Sequence, residues 1–340
     1  MESYLQKQKQ HGIIIIFLIF LLSASAVFSV TQGSADIPAE RVLSILAGSG
    51  TPSENTIIFD IRLPRIILAV LAGASLSISG VVLQALFRNP MADPYILGIS
   101  SGSGVGAALA MLFGVSFSLI WFSGISIAAF LGGIFAILIV YNIAKIKNSL
   151  PVQTLLLSGI AVSAFFSACI MFIMLISGDK LHGIMFWLFG SMSSASWNSI
   201  ATITPYFIAG SVIIYIFSRD MNVMLLGEED ARTLGIDTEK VKKILLGCAA
   251  VLTAAAVSVT GIIGFIGLVV PHITRIFVGP DHRILIPASI LIGSIVLLLT
   301  DTLAKTLMAP VEIPVGIITA LFGAPFFVYL LKKRRHEYFG

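Results

Sequence analysis

Hydrophobic residues fall into ten long runs along the chain, at 12–32, 62–86, 95–113, 118–141, 151–176, 198–217, 241–260, 262–278, 284–303 and 313–331. Clusters of charge, proline and turn residues separate them. Crossing a hydrocarbon core takes about 20 mostly apolar residues, so each run predicts a membrane-spanning helix. The eighth run is the shortest, opens on glycines and carries Pro271. The first follows Lys7, Lys9 and His11 and contains Ser23-Ala24-Ser25-Ala26, features shared with a secretory signal. Its apolar and small residues continue to Val30, far enough to span, so it is expected to remain as a helix. The pattern predicts an all-α polytopic membrane protein, one transmembrane domain over 1–340.

Two hydrophilic stretches stand out. The first, 33–61, holds a short amphipathic piece at 38–46. The second, 219–240, is too polar to span yet too patterned for a plain linker. Leu225, Leu226, Leu234 and Ile236 can form one apolar side of two short helices broken around Gly227 and Gly235. Charges beside a leucine face suit docking to a soluble protein.

Ten spans leave both termini on one side, and basic residues say which. With the N-terminus inside, only Arg41, Arg62, Arg65, Lys180 and Lys305 of the 21 Lys and Arg residues fall outside. Cytoplasmic loops concentrate positive charge, so both termini are expected in the cytoplasm and the chain in the cytoplasmic membrane.

Composition narrows the function. The 340 residues are 57% hydrophobic and 11% charged, with a mean hydropathy of +1.01. Soluble domains carry about 25% charged residues. A soluble enzyme, a nucleic-acid binder and a disordered scaffold are thereby excluded. Cys169 and Cys248 each sit inside an apolar run and read as packing residues.

The sequence lacks the G-x-x-x-x-G-K-[ST] pattern that cradles nucleotide phosphates. Gly98, Gly102 and Gly106 form G-x-x-x-G spacings inside a span, where they let helices approach closely. The five histidines share no metal-site spacing. Transporters that use an ion gradient hold ionisable groups near mid-membrane, whereas here charges sit at span ends. Asp301 and Lys305 lie one helical turn apart at the outer end of the ninth span. Ser158, Ser163 and Ser167 offer a weakly polar lining for a central path. The driving energy is therefore expected from a partner. An ion-coupled secondary transporter acting without an ATPase is the alternative, and an intramembrane enzyme lacks any catalytic cluster. Arg62 and Arg65, three apart on one helical face, leave two readings open. They anchor the helix by reaching the headgroups, or they receive carboxylates from a partner.

Several motifs together carry a family resemblance. Arg62-Leu-Pro-Arg65, Gly73–Gly80, Gln84 through Asn89-Pro90-Met91-Ala-Asp-Pro94 and Leu97-Gly98 resemble the second and third helices of FecCD-type permeases. These are the membrane subunits of ATP-binding-cassette (ABC) importers for iron-siderophore, haem and cobalamin. Gly227–Gly235, Gly264 through Arg275 with Gly279–Arg283, and Glu312 through Pro325 agree in order and spacing. The resemblance covers Arg41 to the C-terminus.

It implies a type II ABC importer permease with ten transmembrane helices, working as a homodimer with two cytoplasmic ATPase subunits and an extracytoplasmic binding protein. ATP-Mg would be used by the partner and no cofactor bound by this chain. By the same resemblance, Gly227, Glu228, Asp230, Arg232, Leu234 and Gly235 would couple to the ATPase. Arg62, Arg65 and Lys305 would receive the binding protein's acidic residues. Lys305 stands where the family commonly has arginine, which keeps the charge and loses the bidentate fork. Asn89, Met91, Asn148 and Gln153 would match cytoplasmic gates. Iron chelates are the commonest assignment in the family, so they are expected ahead of cobalamin as the substrate here.

Overall fold

The computed structural model describes residues 2–33, 35, 37–147 and 149–338. Ten helices account for most of it: α1 (Glu2–Thr31), α2 (Leu63–Leu86), α3 (Ile99–Leu112), α4 (Gly124–Ala144), α5 (Val152–Ile176), α6 (Trp197–Ile216), α7 (Thr238–Thr260), α8 (Ile266–Val278), α9 (His282–Thr306) and α10 (Val315–Tyr338). Seven helical stretches among the described residues are long and apolar enough to cross a membrane. Three shorter apolar helices, Ile99–Leu112, Ile266–Val278 and Val315–Leu330, lie where the remaining expected spans fall.

The helices are buried unequally. The stretch ending in α2 is buried along most of its length, and α7 and α9 along more than half, while α1, α5 and α6 present mostly exposed faces. Thus α2 sits at the centre, packed along α9, α7 and α8, with α3 and α4 paired beside α7. Glycines set these distances. A β-carbon on Gly80 would overlap the Gly267 carbonyl of α8, and one on Gly73 would overlap the Gly293 carbonyl of α9. Neither position tolerates a side chain without backbone movement, the usual membrane use of small residues.

Three departures from the sequence pattern have physical causes. The helix expected from 62 begins at Pro52, because a π-helical segment, Thr56–Arg62, leads directly into α2. Pro64 stands in the first turn of α2, where its missing N–H breaks little. The run 95–113 is not one helix. Asp93 accepts the Tyr95 N–H at the head of a 3-10 turn, Pro94–Leu97, and Gly98 at φ 77° redirects the chain into α3. The run 262–278 becomes helical only at Ile266, after non-helical backbone whose Ile263 N–H and carbonyl both bond the Tyr95 hydroxyl (3.1 and 2.8 Å). Non-helical backbone at such depth persists where protein encloses it.

The stretch 33–61 contains more than the expected 38–46 piece. Helix Ala39–Ser44 continues as π-helix to Ser49, and Thr51 and Glu54 form a capping box on Pro52–Asn55. The Arg41 guanidinium holds the Glu54 carboxylate at 2.6 Å.

Candidate functional site

Residues from distant parts of the sequence converge at the two ends of the bundle. At the basic end, the segment after α6 folds as helices Ser218–Met224 and Glu228–Thr233, broken at Gly227 and Gly235. Gly235 (φ 86°) closes the second helix in a conformation that disfavours a β-carbon. Leu226 and Leu234 are 69% and 65% exposed, Leu225 is also exposed, and Ile236 is half-buried. Three of the four residues expected on one apolar side are thus uncovered. Acids and bases surround it in bonded pairs. The Lys242 ammonium lies 2.6 Å from Glu228 and 3.3 Å from Glu239, and Arg232 donates to Thr238 (3.0 Å). Glu239 also accepts the Leu150 N–H (3.0 Å), tying the start of α5 to this segment.

Two more residues fix the segment to the bundle, and sequence reading missed both. Arg88 donates through Nε and Nη2 to the Met224 carbonyl, at 3.2 and 3.0 Å. Asn222 donates to Asp281 (2.7 Å) and accepts the His282 N–H (2.8 Å). Asp281 is held well below the usual carboxylate range, mainly by its bonds to Arg283. The signal was present in the motif 279–283, but its partner lies 59 residues away.

The expected gate residues are partly placed. The Asn89 side chain accepts the Met91 N–H (2.9 Å), so these two share one turn after α2. Gln153 is exposed at the start of α5. Asn148 lies outside the described residues. The three serines do not share an open face. Ser158 is buried, Ser163 hides its hydroxyl beside Gly98, and Ser167 is half-buried. The free face of α5 carries Leu157, Phe165 and Phe172 instead.

At the opposite end, Arg62, Arg65 and Lys305 line one cavity of about 200 Å³, together with Glu312. The family resemblance put these cations on one surface, and in the structure they share this cavity. It did not foresee that each is only 5–7% exposed and already engaged. Arg65 forks onto Asp301 through Nε (2.8 Å) and Nη2 (3.0 Å), while Nη1 reaches both Glu312 oxygens at 2.9 Å. Arg62 donates to the Val30 carbonyl (2.6 Å) and to that of Ala35, and Lys305 to the Ser29 carbonyl (2.9 Å). Ser29 and Val30 belong to the last turn of α1, whose carbonyls lack helical partners and attract cations. Burial is tolerable because acceptors surround each charge.

Comparison with known proteins decides the lineage. The family model described as "FecCD transport family" matches residues 19–333. The chain belongs to the FecCD transport family. It is 48% identical over 286 residues, 84% of this chain and 76% of the relative, to the cobalamin import system permease protein BtuC of Halobacterium salinarum. It is 37% identical to the hemin transport system permease protein HmuU of Yersinia pestis, over 95% of this chain and 96% of that one. A solved inward-facing conformation of a transporter assigned to the metal-chelate ABC type superposes with a TM-score of 0.85 at 35% identity, covering 95% of this chain and 99% of that chain. This FecCD protein is thus a multi-pass membrane permease subunit of an ABC importer, and ATP hydrolysis belongs to a separate subunit.

Proposed function

We propose that this FecCD protein carries a large metal chelate across the cytoplasmic membrane by alternating access. It works as a homodimer with two cytoplasmic ATPase subunits that use ATP-Mg, under an extracytoplasmic binding protein, and has both termini in the cytoplasm. The uncovered leucines at the basic end, flanked by Glu229, Asp230 and Arg232, carry this reading. An exposed apolar patch rimmed by charge marks a protein contact, and it stands at the end where positive-inside charge accumulates. Apolar side chains left uncovered on α5 suit a second copy in the bilayer. Arg62, Arg65 and Lys305 share a cavity at the other end, where an acidic surface of the binding protein would dock by displacing Glu312 from Arg65. Gate roles for Asn89, Met91, Asn148 and Gln153, and a path near Ser158, Ser163 and Ser167, complete the proposal.

Among chelates, the 48% identity to a cobalamin permease favours a corrinoid over the iron chelates. Leu226→Asp with Leu234→Asp tests the reading. The double variant should insert and fold but lose co-purification with the ATPase subunit, and with it ATP-driven uptake of labelled cobalamin. Undiminished co-purification would remove this segment as the docking surface.

A further inference from the structure

The short helix Ser218–Met224 has two independent tethers, and both lead to the central helices. At its C-terminal end the Met224 carbonyl has no helical partner and receives the Arg88 guanidinium. Arg88 is not a glycine, yet it stands at φ 48°, a left-handed conformation unfavourable for L-residues with a β-carbon. Its own N–H and that of Asn89 bond the Ala85 and Gln84 carbonyls at the end of α2. The guanidinium passes close to Gly227, where a β-carbon would stand in ordinary contact with Nη2 at 3.4 Å.

The second tether is Asn222. Its amide donates to the Asp281 carboxylate, which fixes the orientation of the amide: reversal would set two oxygens against each other. Its oxygen then accepts from the His282 N–H, and from His282 Nδ1 at 2.7 Å, so that nitrogen carries the proton. His282 is fully buried at the first turn of α9. One side chain therefore satisfies three polar groups at the head of α9, while Arg88 grips the short helix at Met224 from the tail of α2. Helices α2 and α9 meet glycine to backbone at Gly73 and Gly293.

We propose that Asn222, assisted by Arg88, is the positioning joint through which movement of an ATPase docked on 225–234 enters the α2–α9 pair. This rests on the docking reading above. The joint is distinct from the leucine patch, so its loss should leave docking intact and break transmission.

The test uses the reconstituted complex with binding protein, the ATPase subunit and labelled cobalamin. Asn222→Ala and Arg88→Gln should co-purify with the ATPase as the unaltered chain does and hydrolyse ATP. Transport per ATP should fall about tenfold in each, the size expected when charge-assisted or buried hydrogen bonds are lost, and further in the double variant. Arg88→Lys, which keeps one donor, should restore part of the ratio. Spin labels at Arg219, exposed on the short helix and outside the leucine patch, and at Met91, on opposite protomers of the complex, add a readout that a purely structural prop would leave unchanged. Nucleotide should move both label pairs in the unaltered chain and only the Arg219 pair in the double variant. Unchanged transport per ATP in Asn222→Ala overturns the inference, as does lost co-purification in both single variants. Leu226→Asp with Leu234→Asp that still binds the ATPase overturns the docking reading instead.

Discussion

The Arg65 network offers a sharp energetic contrast between two carboxylates on one guanidinium. The Asp301 side chain is 2% exposed and that of Glu312 is 35% exposed. Asp301→Asn preserves shape but removes the charge facing Arg65 Nε and Nη2, leaving a buried cation without its nearest counter-ion. Breaking such a pair by removing one member typically costs about 3–5 kcal/mol. Glu312→Gln removes an ion pair open to water, worth about 0.5–1 kcal/mol. With unfolding entropy near 2.1 cal/mol/K per residue as a guide, the first change lowers Tm by roughly 4–7 °C and the second by about 1 °C. Both are read by thermal unfolding of the purified protein in nanodiscs at fixed lipid and pH. Arg65→Gln combined with Asp301→Asn should regain part of the loss, because no uncompensated charge remains. Equal shifts for the two single variants would refute the argument that burial decides what each carboxylate contributes.

Two further outcomes are expected. Gly80→Ala forces α2 and α8 apart and should destabilise by about 1–3 kcal/mol or more, whereas Gly247→Ala, with open space around it on α7, should gain about 0.5–1 kcal/mol; thermal unfolding of the pair checks both. The Glu54 carboxyl is pulled down to about 2, chiefly by its bond to Arg41 and then by the Thr51 N–H. Its folded pKa lies below the unfolded one, so the clip is fully formed above about pH 4.5 and lost as pH falls toward 2; exchange of the Thr51 amide hydrogen should accelerate over that window and not between pH 6 and 8.

Legibility followed range. Helices and their order could be read because each is a block of apolar residues bounded by polar ones, and the leucine side of 225–234 because its spacing is local. The breaks at Gly98 and before Ile266 were hidden, since the apolar run continues through both and the hydroxyl of Tyr95 supplies the missing partner from 168 residues away. The meeting of Arg62, Arg65 and Lys305 was anticipated, but the acceptors were not. Asp301 and Glu312 lie 236 and 247 residues from Arg65, beyond the reach of any periodicity. Hydroxyls in the spans were hard to read for a different reason. Ser75, Ser79 and Thr253 spend theirs on carbonyls four residues back in their own helices, so polarity in a span does not by itself mark an aqueous face.

The glycine contacts of α2 have a mechanical consequence. Where side chains interdigitate, neighbouring helices can slide by exchanging rotamers. Where one backbone rests on another, as at Gly80 on Gly267 and Gly73 on Gly293, no such lubricating layer exists, and any displacement strips contacts from both partners at once. Helices α2, α8 and α9 should therefore travel as a single keel through the transport cycle. The strokes that open one mouth and close the other must then come from movement between such blocks, of which α3 and α4, backbone on backbone at Gly102 on Gly132 and Gly106 on Ala128, form a second.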